Sequence, residues 1–266
     1  VQRKLASRIL NTLTGLGPCF IKLGQALSTR PDLVRRDWLD ELTRLQDDLP
    51  AFSHAIALAT IEEDLGAPAS ELFEDFPDAP IAAASLGQVY RARLQGQSWV
   101  AVKVQRPNLT FILRRDLVLI RMIAVLTAPL LPLNLGFGLG GIIDEFGRSL
   151  FEEIDYSLEA QNAERFAALF ADNEAVYVPR VERLLSSTRV LTTTWIDGAK
   201  MRDSTELRNL QLDPSALIRT GVICGLQQLL EFGYFHADPH PGNLFALPGR
   251  TGDLGHVGYV DFGMMD

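Results

Sequence analysis

Cysteine is scarce in the 266-residue chain: Cys19 and Cys224 are the two, far apart and without His or Cys partners at metal-ligand spacing. That pattern suggests neither a disulfide framework nor a zinc site, and a reducing compartment is the default. Positive charge is also short, with 25 Lys+Arg against 33 Asp+Glu and a formal net charge of −8. No domain-wide basic stripe is present to neutralise phosphates, so no nucleic-acid partner is expected. Position 1 is not Met, and Arg3, Lys4 and Arg8 are not followed by an apolar run. The sequence therefore reads as having no signal peptide and as cut from something longer. What remains is ordinary globular composition, 47% apolar and 22% charged. At about 150 residues per domain the length suits one divided domain or two lobes.

The run from Met122 to Ile143 is 22 residues without a charge. It contains Pro129, Pro132, Asn134 and four glycines, which would break the helix that lipid demands. A buried helix to about Ala128 followed by an apolar loop fits better, and that loop suits peripheral contact with a membrane.

The N-terminal quarter reads as helical. One helix runs from Pro18 through Phe20, Leu23 and Leu27, a second carries Trp38, Leu42 and Leu45, and a third covers Ser53 to Leu65 with Ser53 as N-cap and Gly66 as its stop. Alternation over Val89 to Leu94, turn residues Gln95 to Gln97 and the β-branched run Trp99 to Val104 predict a hairpin. Helices follow over Leu109 to about Ala128 and Ile142 to Phe170, with extended segments around Val176–Val181 and Arg189–Ile196. Asp213 and Pro214 open a helix that keeps Leu217, Val222, Leu226 and Leu230 apolar and stops at Gly233. A second hairpin, Leu244–Leu247 against Val257–Val260, delivers Asp261, Phe262 and Gly263.

The chemistry concentrates at the C-terminus, where His236, Asp238, His240, Gly242 and Asn243 precede that hairpin. Phosphoryl transfer needs an Asp near the acceptor oxygen and oxygen donors on Asn and Asp to hold a metal against the phosphates. The five-residue step from Asp238 to Asn243, followed by Asp261-Phe262-Gly263, matches the kinase catalytic-loop pattern. His236 and His240 are four apart, but Pro239 and Pro241 deny them a helix, so His236 reads as packing beneath the loop. Lys103 stands on a predicted strand after Ala82 to Val89, a segment with the frame of the kinase glycine loop but alanine at its first two glycine positions. Gly136, Gly138 and Gly141 also satisfy G-x-G-x-x-G, but Pro132 makes the preceding strand improbable. Glu152, Asp155 and Glu159 share one face if their segment is one helix, and Glu159 is a candidate to orient the lysine.

With these residues in place the chain resembles the UbiB (ADCK) family of atypical protein-kinase-like ATPases along nearly its whole length. The family's K-x-G-Q motif is present as Lys22, Leu23, Gly24, Gln25, its alanine-rich loop as Ala82 to Gly87, and its E-x-D motif as Glu153, Ile154, Asp155. Residues 25–32 look most like cyanobacterial or plastid members. The resemblance implies an α+β, two-lobed protein-kinase-like fold with a helical N-terminal extension (1–75), a small lobe with inserted helices (76–197) and the start of a truncated C-lobe (198–266).

It also implies a function: an ATP- and Mg²⁺-dependent kinase or ATPase supporting prenylquinone metabolism at a membrane. That membrane would be bacterial or of plastid type, with a prenyl-lipid or quinone intermediate as partner. ATP would lie between the lobes. Lys103, oriented by Glu159, would hold the α- and β-phosphates, and Asn243 and Asp261 would hold Mg²⁺. Asp238 would position or deprotonate the attacking oxygen. The loop of Ala82, Ala83, Ala84, Ser85 and Gly87, with Val89 beyond it, would cover the phosphates. Lys22 and Gln25 would fold over the site with Lys22 close to Glu153 and Asp155, and the hinge falls near Thr194 to Gly198. The rivals are a small-molecule phosphotransferase of aminoglycoside or choline kinase type, a nucleotide-gated lipid-binding scaffold and, last, a reductase using the Gly136 region.

Overall fold

The computed structural model describes residues 8, 12–28, 50–96, 98–127, 139–201, 203–210, 212–248 and 256–266. The expected helix with Trp38, Leu42 and Leu45, the apolar loop over 129–138 with Gly136 and Gly138, and the hairpin tip after Pro248 lie outside these residues. The chain forms two compact units. Unit 1 takes residues 1–60, 78–90 and 103–154, and unit 2 takes 61–77, 91–102 and 155–266.

In unit 1, Pro18 occupies the first position of helix α1 (Pro18–Ser28), where its missing N–H costs nothing. Helix α2 (His54–Leu65) begins after Ser53 and stops at Gly66, whose φ of 77° is one that side-chain-bearing residues rarely adopt. Helix α3 (Ala69–Leu72) falls in unit 2, and β1 (Ala82–Ala83) then pairs antiparallel with β2 (Gly87–Arg93), Ala82 opposite Val89 and Ala83 opposite Gln88. Strand β3 (Trp99–Gln105) leads into the long helices α4 (Leu109–Thr127) and α5 (Leu139–Glu153). Cys19 of α1 shares a buried cluster with Leu109, Leu113, Leu150 and Ile154. Gly147 of α5 lets the Leu117 side chain come close, since a Cβ there would lie 3.3 Å from it.

Unit 2 is built around helix α6 (Tyr156–Leu169), which buries Tyr156, Ala160, Ala163 and Phe166. The Phe166 ring lies 5.1 Å from Tyr259 and 5.2 Å from Phe262, so α6 packs directly on the strand that precedes Asp261. The remaining elements are β4 (Val176–Tyr177), β5 (Val190–Thr194), β6 (Ala199–Lys200), α7 (Ser204–Asn209), α8 (Pro214–Gln227), β7 (Leu244–Leu247) and β8 (His256–Tyr259). The strands form sheets of order β1-β2-β3-β5 and β4-β8-β7-β6. Within the second, β7 and β8 make the expected antiparallel hairpin, Leu244 opposite Tyr259, while β4 joins β8 in parallel. Gly198, at the end of the expected hinge, permits a close approach: a Cβ there would stand 2.7 Å from the Ala246 carbonyl oxygen.

Three expectations are corrected: first, the helix running to about Ala128 is not buried over its last turns, where Met122, Ile123, Val125 and Leu126 of α4 are exposed. The helix predicted over Ile142 to Phe170 is two helices, because Asp155 N-caps α6 by accepting the Ser157 N–H at 3.0 Å. Gln105 donates to the Ile154 carbonyl at 2.6 Å, occupying an acceptor that the end of α5 leaves open. Glu152, Asp155 and Glu159 therefore do not share one helical face. The apolar stripe expected from Leu217 to Leu230 also divides: Leu217 is buried in the core, whereas Val222 and Leu226 of α8 and Leu230 beyond it are exposed. Among the described residues no helix is long and apolar enough to cross a membrane.

Candidate functional site

The predicted site residues fall into two groups, one in each unit. In unit 1 the alanine loop is a tight antiparallel turn closed by the Ala84 N–H donating to the Gly87 carbonyl at 2.8 Å. Its side chains are three methyls, the Ser85 hydroxyl and Leu86, which is buried in the cluster with Cys19 and Leu109, and its backbone carbonyls are held by a residue outside it. Arg106 supplies that hold through its backbone N–H to the Leu86 carbonyl at 2.9 Å and its Nε to the Ala84 carbonyl at 3.0 Å. A second guanidinium nitrogen of Arg106 reaches the Pro50 carbonyl at 2.8 Å. Buried Gln88 accepts the Phe52 N–H at 3.0 Å and donates to the Tyr90 hydroxyl at 2.5 Å. Burial is also what raises the pKa of that tyrosine. Lys103 lies on β3, two residues before Gln105.

The K-x-G-Q and E-x-D motifs meet within unit 1. Lys22 Nζ forms an ion pair with the Glu153 carboxylate, both side chains mostly buried. A cation held there neutralises the acid at the end of α5, where the helix dipole disfavours it. Gln25 lies one turn along α1, its carbonyl accepting the Ser28 hydroxyl at 2.6 Å.

Unit 2 carries Asp155, Glu159, Asp238, Asn243 and Asp261. Glu159 is buried in the first turn of α6 and Asp155 caps that turn. Helix α8 ends in a π-turn, Gln228–Phe232, closed by Gly233 at φ 56°. Buried Gln228 there accepts the His236 N–H at 2.9 Å. His236 Nδ1 accepts the Asp238 N–H at 3.1 Å, which puts the ring proton on Nε2, 3.4 Å from the Val260 carbonyl. Burial holds the His236 pKa below its ordinary value, so the ring is neutral and structural, as its place in the loop suggests.

His240 repeats the device, its Nδ1 accepting the Gly242 N–H at 3.0 Å. A Cβ on Gly242 would stand 2.6 Å from the His240 ring, so any side chain there would have to displace that ring. The Asn243 amide donates to the Asp238 carbonyl at 3.3 Å, and the Asn243 carbonyl accepts the Val260 N–H at 3.0 Å. After Asp261 the chain pairs back on residues 235–237 through Ala237 N–H to the Met264 carbonyl at 3.0 Å. Asp238, Asn243 and Asp261 thus hang on one continuous backbone network.

Their donor set consists of carboxylate and amide oxygens, which suits a hard cation such as Mg²⁺. With its Nδ2 engaged, Asn243 keeps Oδ1 as an acceptor. Among the described residues no three His, Cys, Asp or Glu side chains form a metal cluster. An ion held here by one or two carboxylates would complete its shell with phosphate oxygens and water, the ordinary habit of Mg²⁺.

Sequence reasoning missed Gln105, Arg106, Gln88, Gln228 and Asn162. Each acts on a backbone group or a distant side chain, for which a single sequence carries no pattern.

Comparison with known proteins agrees with the fold and the family resemblance. Residues 44–266 match the ABC1 atypical kinase-like domain. The chain is 54% identical over 266 residues to "Uncharacterized protein slr1919" of Synechocystis, covering 100% of this chain and 46% of that protein. It is 46% identical over 259 residues to "Protein ACTIVITY OF BC1 COMPLEX KINASE 1, chloroplastic" of Arabidopsis thaliana, covering 97% of this chain and 37% of that protein. The chain thus spans less than half the length of these relatives. Among solved structures it is similar to that titled "The complex structure of Rv3197-erythromycin from Mycobacterium tuberculosis", with a TM-score of 0.65, 30% identity, and coverage of 100% of this chain and 65% of that one. The chain belongs to the ABC1 (UbiB-type) atypical kinase-like family, with the mixed helix-and-sheet fold of a kinase-like domain.

Proposed function

We propose that this chain is the nucleotide-binding part of an ATP-dependent kinase or ATPase that supports prenylquinone metabolism at a membrane of cyanobacterial or plastid type. The observation that carries this reading is the backbone network that ties Asp238 and Asn243 to the strand before Asp261. In the reading, Asn243 and Asp261 hold Mg²⁺, which when bound neutralises charge developing on the phosphates. Asp238 positions the attacking oxygen or takes its proton. Lys103 neutralises the α- and β-phosphates, with Glu159 supplying the carboxylate such a lysine needs, and the loop from Ala82 to Gly87, with Val89 behind it, covers them. The Lys22–Glu153 pair, with Gln25 and Asp155 beside it in sequence, governs access to the nucleotide.

The membrane part of the reading draws support from α4, whose Val118, Met122, Ile123 and Leu126 are exposed apolar side chains. The plastid-type setting draws support from relatives in Synechocystis and in Arabidopsis chloroplasts.

The test is Mg²⁺-dependent ATP hydrolysis by the full-length protein, with and without liposomes carrying a quinone-like lipid, beside the Asp238→Asn variant. Hydrolysis that rises with the lipid and falls about 100-fold or more in the variant is expected. Equal hydrolysis in both proteins would overturn the assignment of Asp238, and recovery after flotation that does not depend on liposomes would remove the membrane.

A further inference from the structure

Asp261 has a positive φ of 62°, a conformation that non-glycine residues hold only where their surroundings fix it. The structure shows what fixes it. The peptide before Asp261 is gripped at the Val260 carbonyl by His236 Nε2, 3.4 Å away. The peptide after Phe262 is gripped at the Phe262 carbonyl by the side-chain amide of Asn162, which donates at 3.0 Å across 100 residues of sequence. Between these grips the Phe262 ring is buried against Phe166 and His236, with centroids 5.2 and 5.8 Å away.

Asn162 is in turn fixed from its other side. Its Oδ1 accepts the Tyr234 hydroxyl at 2.9 Å, which settles the orientation of the amide and leaves Nδ2 facing the Phe262 carbonyl. Tyr234 is buried, and the Arg165 guanidinium lies 3.9 Å over its ring. Asn162 and Arg165 both belong to α6, one turn and two turns beyond Glu159. Tyr234 sits just after the left-handed Gly233 that ends α8 and two residues before His236.

We propose that Asn162 is a positioning residue for the metal-holding Asp261, a latch from α6 whose grip on the Phe262 carbonyl keeps the strained Asp261 in place, with Tyr234 holding the latch. This rests on the reading of Asp261 as a Mg²⁺ ligand. Asn162 touches neither nucleotide nor metal. Its loss should change how much Mg²⁺ the site needs while leaving metal-free nucleotide binding alone. A residue that only supports the fold would shift both.

The experiment titrates Mg²⁺ into the full-length protein with a fluorescent ATP analogue, and measures analogue binding without metal in parallel. Asn162→Ala should raise the Mg²⁺ concentration for half-maximal binding about tenfold, the worth of one buried hydrogen bond, with metal-free binding within about twofold. Asn162→Asp keeps the volume and the acceptor for Tyr234 but loses the donor, so it should match Asn162→Ala and carry the test should the alanine variant fail to fold. Tyr234→Phe, which leaves the donor, should shift the Mg²⁺ requirement by only about twofold to threefold. Wild-type Mg²⁺ titrations in both Asn162 variants, or equal losses with and without metal, would overturn the latch. Asp261→Asn separates the two levels: an unchanged Mg²⁺ titration in that variant would sink the metal assignment itself, whatever the Asn162 variants do.

Discussion

In unit 1 the loop from Ala82 to Gly87 anchors itself through buried Leu86, and a guanidinium from β3's exit, Arg106, reaches back 22 residues to its Ala84 carbonyl. The neighbouring motif residues are joined by a Lys22–Glu153 ion pair spanning 131 residues. In unit 2 the segment 236–243 is held mostly by its own neutral groups. His236 and His240 each take an N–H two residues on, and the Asn243 amide closes the loop onto Asp238. One loop is fastened by long-range charge and the other by short-range neutral hydrogen bonds. Salt and distant substitution should therefore disturb the first, and protonation should disturb the second.

The largest effect expected from breaking this contrast lies with Arg106. Arg106→Ala removes two side-chain bonds to carbonyls, and because the guanidinium is partly solvated each is worth only about 1 kcal/mol. Nucleotide affinity should fall about tenfold, read by calorimetric titration, while the thermal midpoint of unit 2 stays put. A smaller effect, a coupling of about 0.5–1 kcal/mol at low salt, is expected from a Lys22→Met and Glu153→Gln double-mutant cycle measured by urea unfolding. The double variant should recover part of what either single change loses, and the coupling should shrink in high salt if charge is what joins the motifs. A coupling indifferent to salt would erase the contrast.

In unit 2 the sensitive group is His236. Burial depresses its pKa below the ordinary 6.5, so in the window below 6.5 the unfolded chain binds a proton that the folded chain refuses. Stability should be at its plateau above about 6.5 and decline as the pH falls. A thermal midpoint about 2–4 °C lower at pH 5.5 than at 7.5 is expected for each kcal/mol involved, and His236→Asn should flatten that slope. No change at all is expected from thiol alkylation of the native protein at pH 8. Cys19 is fully buried and its pKa is pushed up to about 12, chiefly by burial and then by the Asp116 charge, and burial raises Cys224 as well. Rapid modification of either would show that the core around it opens.

The same contrast explains what the sequence reveals. Asp238, Asn243 and Asp261 are legible because their chemistry and their fastening are local, so a five-residue step and a hairpin already imply the arrangement. The alanine loop is legible through its kinase-loop frame, with Gly87 and Val89 in register ahead of Lys103, whereas Lys22 and Glu153 are legible as motifs only through family resemblance. The break between α5 and α6 is missed because Asp155 continues a helical pattern of acids, while its cap on Ser157 and the Gln105 grip on Ile154 are decided by tertiary contact. Asn162 looks like any polar residue on a helix, and its partner is a backbone carbonyl 100 residues away. The core of unit 2 is readable in Phe166 and Phe262 as apolar residues, and the pairing of their rings is not.

The proposed role of Asp261 and Asn243 is to hold the metal that accompanies ATP. Calorimetric titration of ATP into the full-length protein, with and without Mg²⁺, tests it most directly in wild type and Asp261→Asn. Mg²⁺ is expected to tighten ATP binding in the wild type and to make no difference in the variant. An equal gain from Mg²⁺ in both proteins would contradict it.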